Sequence, residues 1–318
     1  MALNLKNTLV VGISATALFD LSEADELFKK EYKTHPDKAI EIYREYMLKN
    51  EDIVLKEGIG YPFIRALLGL NRYQKSGEEA LVEVVVMSRN SPDTGVRVLN
   101  TIRELELKIT RSAFTAGESS ADYLEAFDVD LFLTTDEKDA QKVIDSRVCA
   151  SAVLATPTEY KCDIPDGQVR IAFDGDAVLF DESSEIVYKK GGIEAFHENE
   201  VKHQETPMKE GPFASFLKKL ARLQERLPMK MEFSPVRIAI VTARNSPSDI
   251  RVIKTLRHWG VYVDEAFFLG GIEKSKILQS FKAHIFFDDQ DVHLKNSSLV
   301  VPSGKVLYPS DSELTNRN

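Results

Sequence analysis

Four short groups of residues have the types and order needed to act together on a phosphoryl group. Asp174-Gly175-Asp176 follows the apolar run Val169-Arg170-Ile171-Ala172-Phe173, and Thr242 closes the run Val236 to Val241. Lys274 comes shortly after Gly270-Gly271, and Asp288-Asp289 closes the run His284 to Phe287. A carboxylate can attack phosphorus and form an acyl phosphate, which splits one hard displacement into two easier ones. A second carboxyl two residues on can give a proton to the leaving oxygen and later take one from water. Asp174 suits the first role and Asp176 the second. A hydroxyl at Thr242 can donate to a phosphoryl oxygen, Lys274 can neutralise developing charge, and backbone N–H groups near Gly175 add donors. Asp174 with Asp288 or Asp289 offers the hard oxygen ligands that Mg²⁺ prefers. Each group alone is common in turns, caps and solvated surfaces; the ordered set is what points to catalysis.

The elements that must position this set read as alternating strands and helices. Val236 to Val241 is β-branched and alternates, as strands do. Ser215 to Leu227, Ser248 to Trp259 and Lys274 to Phe281 carry apolar residues at helical spacing. Gly260 is a helix stop. Strands alternating with helices predict a parallel sheet, with ligands at the carboxyl ends of its strands.

The first half of the chain echoes the second. Arg89-Asn90-Ser91-Pro92 is answered by Arg244-Asn245-Ser246-Pro247, each after an apolar strand and each before a helix with Arg-Val and then Thr. Ala17-Leu18-Phe19-Asp20 matches Val178-Leu179-Phe180-Asp181, and Leu131-Phe132-Leu133 matches Ile285-Phe286-Phe287. The predicted organisation is therefore two related α/β halves, residues 1–150 and 168–318, joined around 145–168. The apolar run Leu9 to Phe19 then reads as the first strand of the first half and not as a leader sequence. The acidic and cationic groups have no charged counterparts in that half. Asp174 aligns with Ile13, Asp176 with Ala15, Lys274 with Ser120, and Asp288-Asp289 with Thr134-Thr135. One active half and one degenerate half is the expectation. Arg244 lies near the presumed phosphate and could touch it. Its repetition as Arg89 favours a structural role for the tetrapeptide, such as capping the next helix.

About sixty-five residues separate Asp176 from Thr242, more than a strand-to-helix link needs. A cap insertion around 182–234 is predicted there. It holds Phe196, His197 and Phe213, any of which could meet a substrate base, although for Phe213 and Phe216 a place in the cap core is the favoured reading. His197 and His203 have a poor spacing for a shared metal.

Composition narrows the field. The 318 residues are 43% hydrophobic and 29% charged, ordinary values for a globular chain of one or two domains. A net charge of -9 argues against a nucleic-acid surface. No segment approaches the length of a membrane span. The two cysteines, Cys149 and Cys162, form neither a disulfide framework nor a metal motif, and a cytoplasmic setting follows.

The motif set resembles the haloacid dehalogenase superfamily of phosphatases, and more closely the cytosolic 5′-nucleotidase I family. The resemblance rests on Ile171–Phe180, Val241-Thr242-Ala243-Arg244, Leu256–Gly260, Phe268–Gly271 and His284–Gln290, and it extends to Ile13–Phe19. It implies a Rossmann-like fold and Mg²⁺-dependent hydrolysis of nucleoside 5′-monophosphates. It implies Asp174 as nucleophile and Asp176 as acid/base, with the Asp176 carbonyl also on the metal. Thr242 and Lys274 match phosphate-binding positions, and Asp289, with Asp288 beside it, matches the metal carboxylate. Glu273 and Ser275 depart from the Pro and Gly expected around Lys274. A phosphatase for another small phosphate ester and a non-catalytic nucleotide-binding regulator are the competing readings. Base preference is not written in the sequence, and a homo-oligomer is compatible with it.

Overall fold

The apolar runs become strands buried on both faces, as central parallel strands require. In a computed structural model, which describes residues 5–154, 167–228 and 233–315, ten strands form one sheet. The first five are β1 (Leu9–Ser14), β2 (Val82–Ser88), β3 (Arg111–Phe114), β4 (Leu131–Thr134) and β5 (Ala150–Leu154). The second five are β6 (Val169–Phe173), β7 (Val236–Thr242), β8 (Glu265–Phe268), β9 (Ile285–Asp288) and β10 (Ser303–Lys305). Their order is β3-β2-β1-β4-β5-β10-β9-β6-β7-β8. Read inward from either edge, the two sets of five have the same order. All pairs are parallel except β5 with β10, which joins the sets. Of the joint predicted around 145–168, Ala150–Leu154 forms β5, while residues 155–166, with Cys162, lie outside the described residues.

The seam fixes how the two sets face each other. Thr134 pairs with Val153, Val153 with Lys305, and Lys305 with Asp288. The carboxyl ends of β4 and β9 therefore reach the same level of the sheet from opposite directions. The strand ends of the second set lie beside the body of the first.

Helices follow the strands in both sets. The first has α1 (Ala15–Leu18), α2 (Ser22–Thr34), α3 (Ala39–Lys49), α4 (Tyr61–Gly69), α5 (Val96–Glu104) and α6 (Glu137–Ser146). The second has α7 (Ser183–Lys202), α8 (Ala214–Glu225), α9 (Asp249–His258), α10 (Ser275–Phe281) and α11 (Asp291–Ser297). One face of the sheet carries a single core that runs through both sets, from Leu9, Val11 and Val84 to Ile171, Ile238 and Phe287. The other face carries separate cores around Phe132 and around Phe286, with a small one at Ala140, Ile144 and Leu307 between the sets.

Matching polar contacts recur in the two sets. Thr101 Oγ1 accepts the Leu55 N–H, and Thr255 Oγ1 accepts the Met208 N–H. Arg97 donates to the Ile53 carbonyl and Arg251 to the Thr206 carbonyl. Gly58 and Gly211 each press a backbone against the turn after the first strand. A Cβ on Gly211 would lie 2.2 Å from the Phe180 carbonyl oxygen.

Two details of the sequence alignment shift. Strand register pairs Ile13 with Leu133 and Phe173 with Phe287, so Ser14, and not Ile13, stands where Asp174 stands. The extra residue of the second set is taken up in one wide turn at Gly175–Leu179. The tetrapeptide match is also out of register by one. Ser88 Oγ accepts the Asn90 N–H, and Thr242 Oγ1 accepts the Arg244 N–H. Ala116 N–H reaches the Asn90 carbonyl, and Gly270 N–H reaches the Arg244 carbonyl. The structural counterpart of Arg244 is Asn90, so Arg89 says nothing about its role.

Candidate active site

The end of β6 is set on an aromatic base. Phe173 stacks on Phe287 at 5.5 Å, and Phe213 lies 4.7 Å from Phe287. Such pairs contribute about 0.5–1.5 kcal/mol each beyond their buried area. They hold β6 and β9 in step, and the Asp174 N–H donates to the Phe287 carbonyl at 2.8 Å. Phe213 is fully buried in this base. It supports the site from below and does not face a ligand, which corrects its placement in the cap.

The strand ends then bring four charged groups together. Lys274, at the start of α10, donates to Asp174 Oδ1 and to Asp288 Oδ2, both at 2.6 Å. The Gln290 N–H donates to Asp288 Oδ1 at 2.8 Å, and His293 Nδ1 of α11 lies 3.3 Å from Asp288 Oδ2. Asp289 accepts the Tyr308 hydroxyl on Oδ2, while its Oδ1 is buried with no hydrogen-bond partner among the described residues. Asp174, Asp288, Asp289 and Lys274 are all buried.

One lysine cannot neutralise three buried carboxylates, and the titration behaviour reflects this. Burial, opposed by Lys274 and aided by Asp288, pushes Asp174 up to about 6. Burial, with the charges of Asp174 and Asp288, pushes Asp289 well above the usual carboxylate range. Burial would raise Asp288 too, but Lys274 and His293 outweigh it and hold its pKa down. Burial opposes the Lys274 charge, and Asp174 and Asp288 overcome it, so its pKa stands above normal. One oxygen from each of Asp174, Asp288 and Asp289 lies within 4.8 Å of the others. The donor set is all carboxylate, one oxygen of Asp289 is unpaired, and the charge is unbalanced. These residues fit a hard divalent cation such as Mg²⁺.

The second carboxylate is held differently. In the wide turn after β6, Ala177 takes a left-handed conformation (φ 57°), uncommon for a residue with a side chain. Asp176 is gripped by the guanidinium of Arg244, with Nε to Oδ2 at 2.7 Å and Nη2 to Oδ1 at 2.6 Å. Arg244 also donates to Glu200 Oε2 at 2.6 Å, and Arg251 donates to Glu200 Oε1 at 2.9 Å. Burial disfavours the Arg244 charge, but Asp176 and Glu200 outweigh it. Both edges of the fork are thus committed to carboxylates, and Arg244 is not a free phosphate ligand as placed here. Thr242 stands at the end of β7, and a Cβ on Gly175 would lie 3.3 Å from its Oγ1. The glycine leaves that hydroxyl open toward the turn.

The cap candidates divide. Helix α8 packs Phe216, Leu217, Leu220 and Leu223 into the core and is a sheet-covering helix. Helix α7 buries only Ser184, Phe196 and Glu200. Phe196 lies with its ring 5.1 Å from the Arg244 guanidinium carbon, so it belongs to the arginine network and not to an open stacking surface. His197 Nε2, on α7, lies 3.0 Å from Oδ1 of Asn245 in the loop after β7. The functional residues that sequence reasoning missed are Glu200, His293 and Tyr308. None sits in a motif, and each meets its partner only through the fold.

Comparison with known proteins shows the family. A family model described as 5′-nucleotidase matches residues 1–313. The chain is 35% identical over 300 residues to human "Cytosolic 5′-nucleotidase 1B", an alignment covering 92% of this chain. The alignment covers 47% of that relative, so the chain spans about half its length. No helix among the described residues is long and apolar enough to cross a membrane. On the family match and this identity together, the chain belongs to the 5′-nucleotidase family.

Proposed function

We propose that this chain hydrolyses nucleoside 5′-monophosphates to nucleoside and phosphate, with Mg²⁺, through a phospho-aspartate on Asp174. The observation that carries the reading is the buried cluster of Asp174, Asp288 and Asp289 around a single lysine. The substrate class rests on the family match, and a cytosolic setting on the printed name of the relative.

Asp174 Oδ attacks phosphorus as the bond to the nucleoside 5′ oxygen breaks, and Asp176 gives that oxygen a proton. Asp176 leaves this step as a carboxylate between the two donors of the Arg244 fork. Water then attacks the phosphorus of the acyl phosphate, Asp176 takes its proton, and Asp174 is regenerated. Thr242, the backbone N–H groups of the wide turn and Lys274 hold the phosphoryl oxygens throughout. Asp174, Asp288, Asp289 and the Asp176 carbonyl would hold Mg²⁺, which when bound offsets the repulsion between anionic phosphate and carboxylate.

The same reading takes the two sets of five strands as products of an internal duplication, degenerate at the β1 end, with α7 as the cap of the active half. Their shared order and the matched threonine and arginine contacts support it. The test is phosphate release across the common nucleoside monophosphates and sugar phosphates, with and without Mg²⁺. Wild type should prefer nucleotides and require the metal, and Asp174→Asn should lose about 10⁴-fold or more. Preference for sugar phosphates would move the substrate to another small ester. Absence of Mg²⁺-dependent release would leave a nucleotide-binding regulator.

A further inference from the structure

The segment after β10 is pinned across the site by both sets of strands. The Val306 N–H donates to the Asp288 carbonyl at 2.9 Å, so the chain leaves β10 alongside the end of β9. Tyr308 follows, and its hydroxyl donates to Asp289 Oδ2. Its own carbonyl accepts Gln141 Nε2 of α6 at 2.9 Å. Two residues on, Ser310 donates from N and Oγ to the two carboxylate oxygens of Asp145, both at 2.7 Å. From the other side, α7 places the Lys189 ammonium 5.9 Å from the Tyr308 ring centroid and Lys190 2.7 Å from Glu313. The strap 306–315 is therefore fixed between a helix of the first set and a helix of the second.

The consequence for Asp289 is geometric. A phenol supplies one donor, so it can satisfy one carboxylate oxygen and no more. With Oδ2 engaged, Oδ1 is left buried and unpaired beside Asp174 and Asp288. The cost of burying an unpaired oxygen is tolerated where something else is meant to meet it. Partners that orient a metal carboxylate by engaging its other oxygen commonly control affinity by 10- to 100-fold.

We infer that Tyr308 is a positioning residue for the metal carboxylate Asp289, and that the first set of strands fixes its position through Gln141. The inference rests on the Mg²⁺ reading above. It gives the degenerate half a task in the active one: it anchors the strap that aims a ligand it does not itself contain.

Calorimetric titration with Mg²⁺ alone tests this on the full chain, beside kcat measured against Mg²⁺ concentration. Tyr308→Phe should raise the Mg²⁺ Kd about 10-fold or more, with kcat at saturating Mg²⁺ falling much less than the affinity. Gln141→Ala, which leaves the phenol in place, should shift the Kd in the same direction by a smaller factor. It carries the test if Tyr308→Phe does not fold. Unchanged Mg²⁺ binding in both variants overturns the inference while leaving the metal reading intact. A wild-type protein that does not bind Mg²⁺ overturns the metal reading itself, and this inference with it.

Discussion

The turn after β1 and the turn after β6 start from the same strand position and end on the same phenylalanine, yet they do opposite things. After β1, Ser14 caps a short helix by accepting the Ala17 N–H at 3.2 Å, and Thr16 pairs with Thr135 at 2.7 Å. Those hydroxyls satisfy one another and leave no charge behind. After β6, one added residue opens the turn and admits Asp174 and Asp176. Across from them, Thr134 and Thr135 are replaced by Asp288 and Asp289. One lysine among three buried carboxylates leaves a deficit of positive charge, the deficit that the proposed Mg²⁺ would offset. The difference shows how little backbone change separates a self-satisfied strand end from one whose charges are unbalanced.

The comparison can be broken most sharply at the two arginines. Arg244→Ala removes a buried partner from Glu200 and Asp176 and should destabilise the fold by about 3 kcal/mol or more. Arg89→Ala, at a half-exposed side chain paired with Asp139, should cost about 1 kcal/mol or less. Equal losses in urea unfolding would mean that the two arginines are equivalent after all. The threonines make the opposite claim. Thr101→Val and Thr255→Val each strip a buried N–H of its acceptor, and each should cost about 1–3 kcal/mol, by similar amounts. A difference of several-fold in their effects would show that the matched contacts do not carry matched energies.

The smallest effect is in pH. Asp174 titrates at about 6 when folded against an ordinary 3.8, so the folded state holds that proton more tightly. Its contribution to stability is full below about pH 3.8 and is lost as the pH rises through about 6. Mg²⁺ at the proposed site would need ionised ligands and would reverse the loss. The rise in Tm on adding Mg²⁺ should therefore be a few degrees larger at pH 8 than at pH 5.5. Asp289→Asn should raise the metal-free Tm at pH 8 and remove most of the Mg²⁺ increment. An increment independent of pH and of Asp289 would place the ion elsewhere.

Much of this was legible in the sequence because it is local. Asp174, Thr242, Lys274 and Asp288-Asp289 each sit where a strand ends or a helix begins, and strand patterning alone puts them on one edge. The parallel order followed from strands alternating with helices. The single antiparallel pair, β5 with β10, did not, because β10 is only three residues long and carries no pattern. Tyr308 and Glu200 were illegible because their meaning lies in partners far along the chain. The shared Arg-Asn-Ser-Pro misled, since identical letters one residue out of register outweighed the strands beside them. Phe213 was ambiguous by nature: a phenylalanine under a site and one over it look alike until the sheet is drawn.

The seam between β5 and β10 has a consequence for assembly. Two like sheets that meet edge to edge in antiparallel fashion, with their strand orders mirrored outward, stand in the relation of the subunits of a two-fold dimer. Here one chain supplies both partners, so the edge that would have sought a second copy is already covered. Among the described residues, the outermost strands β3 and β8 are the edges left for strand addition.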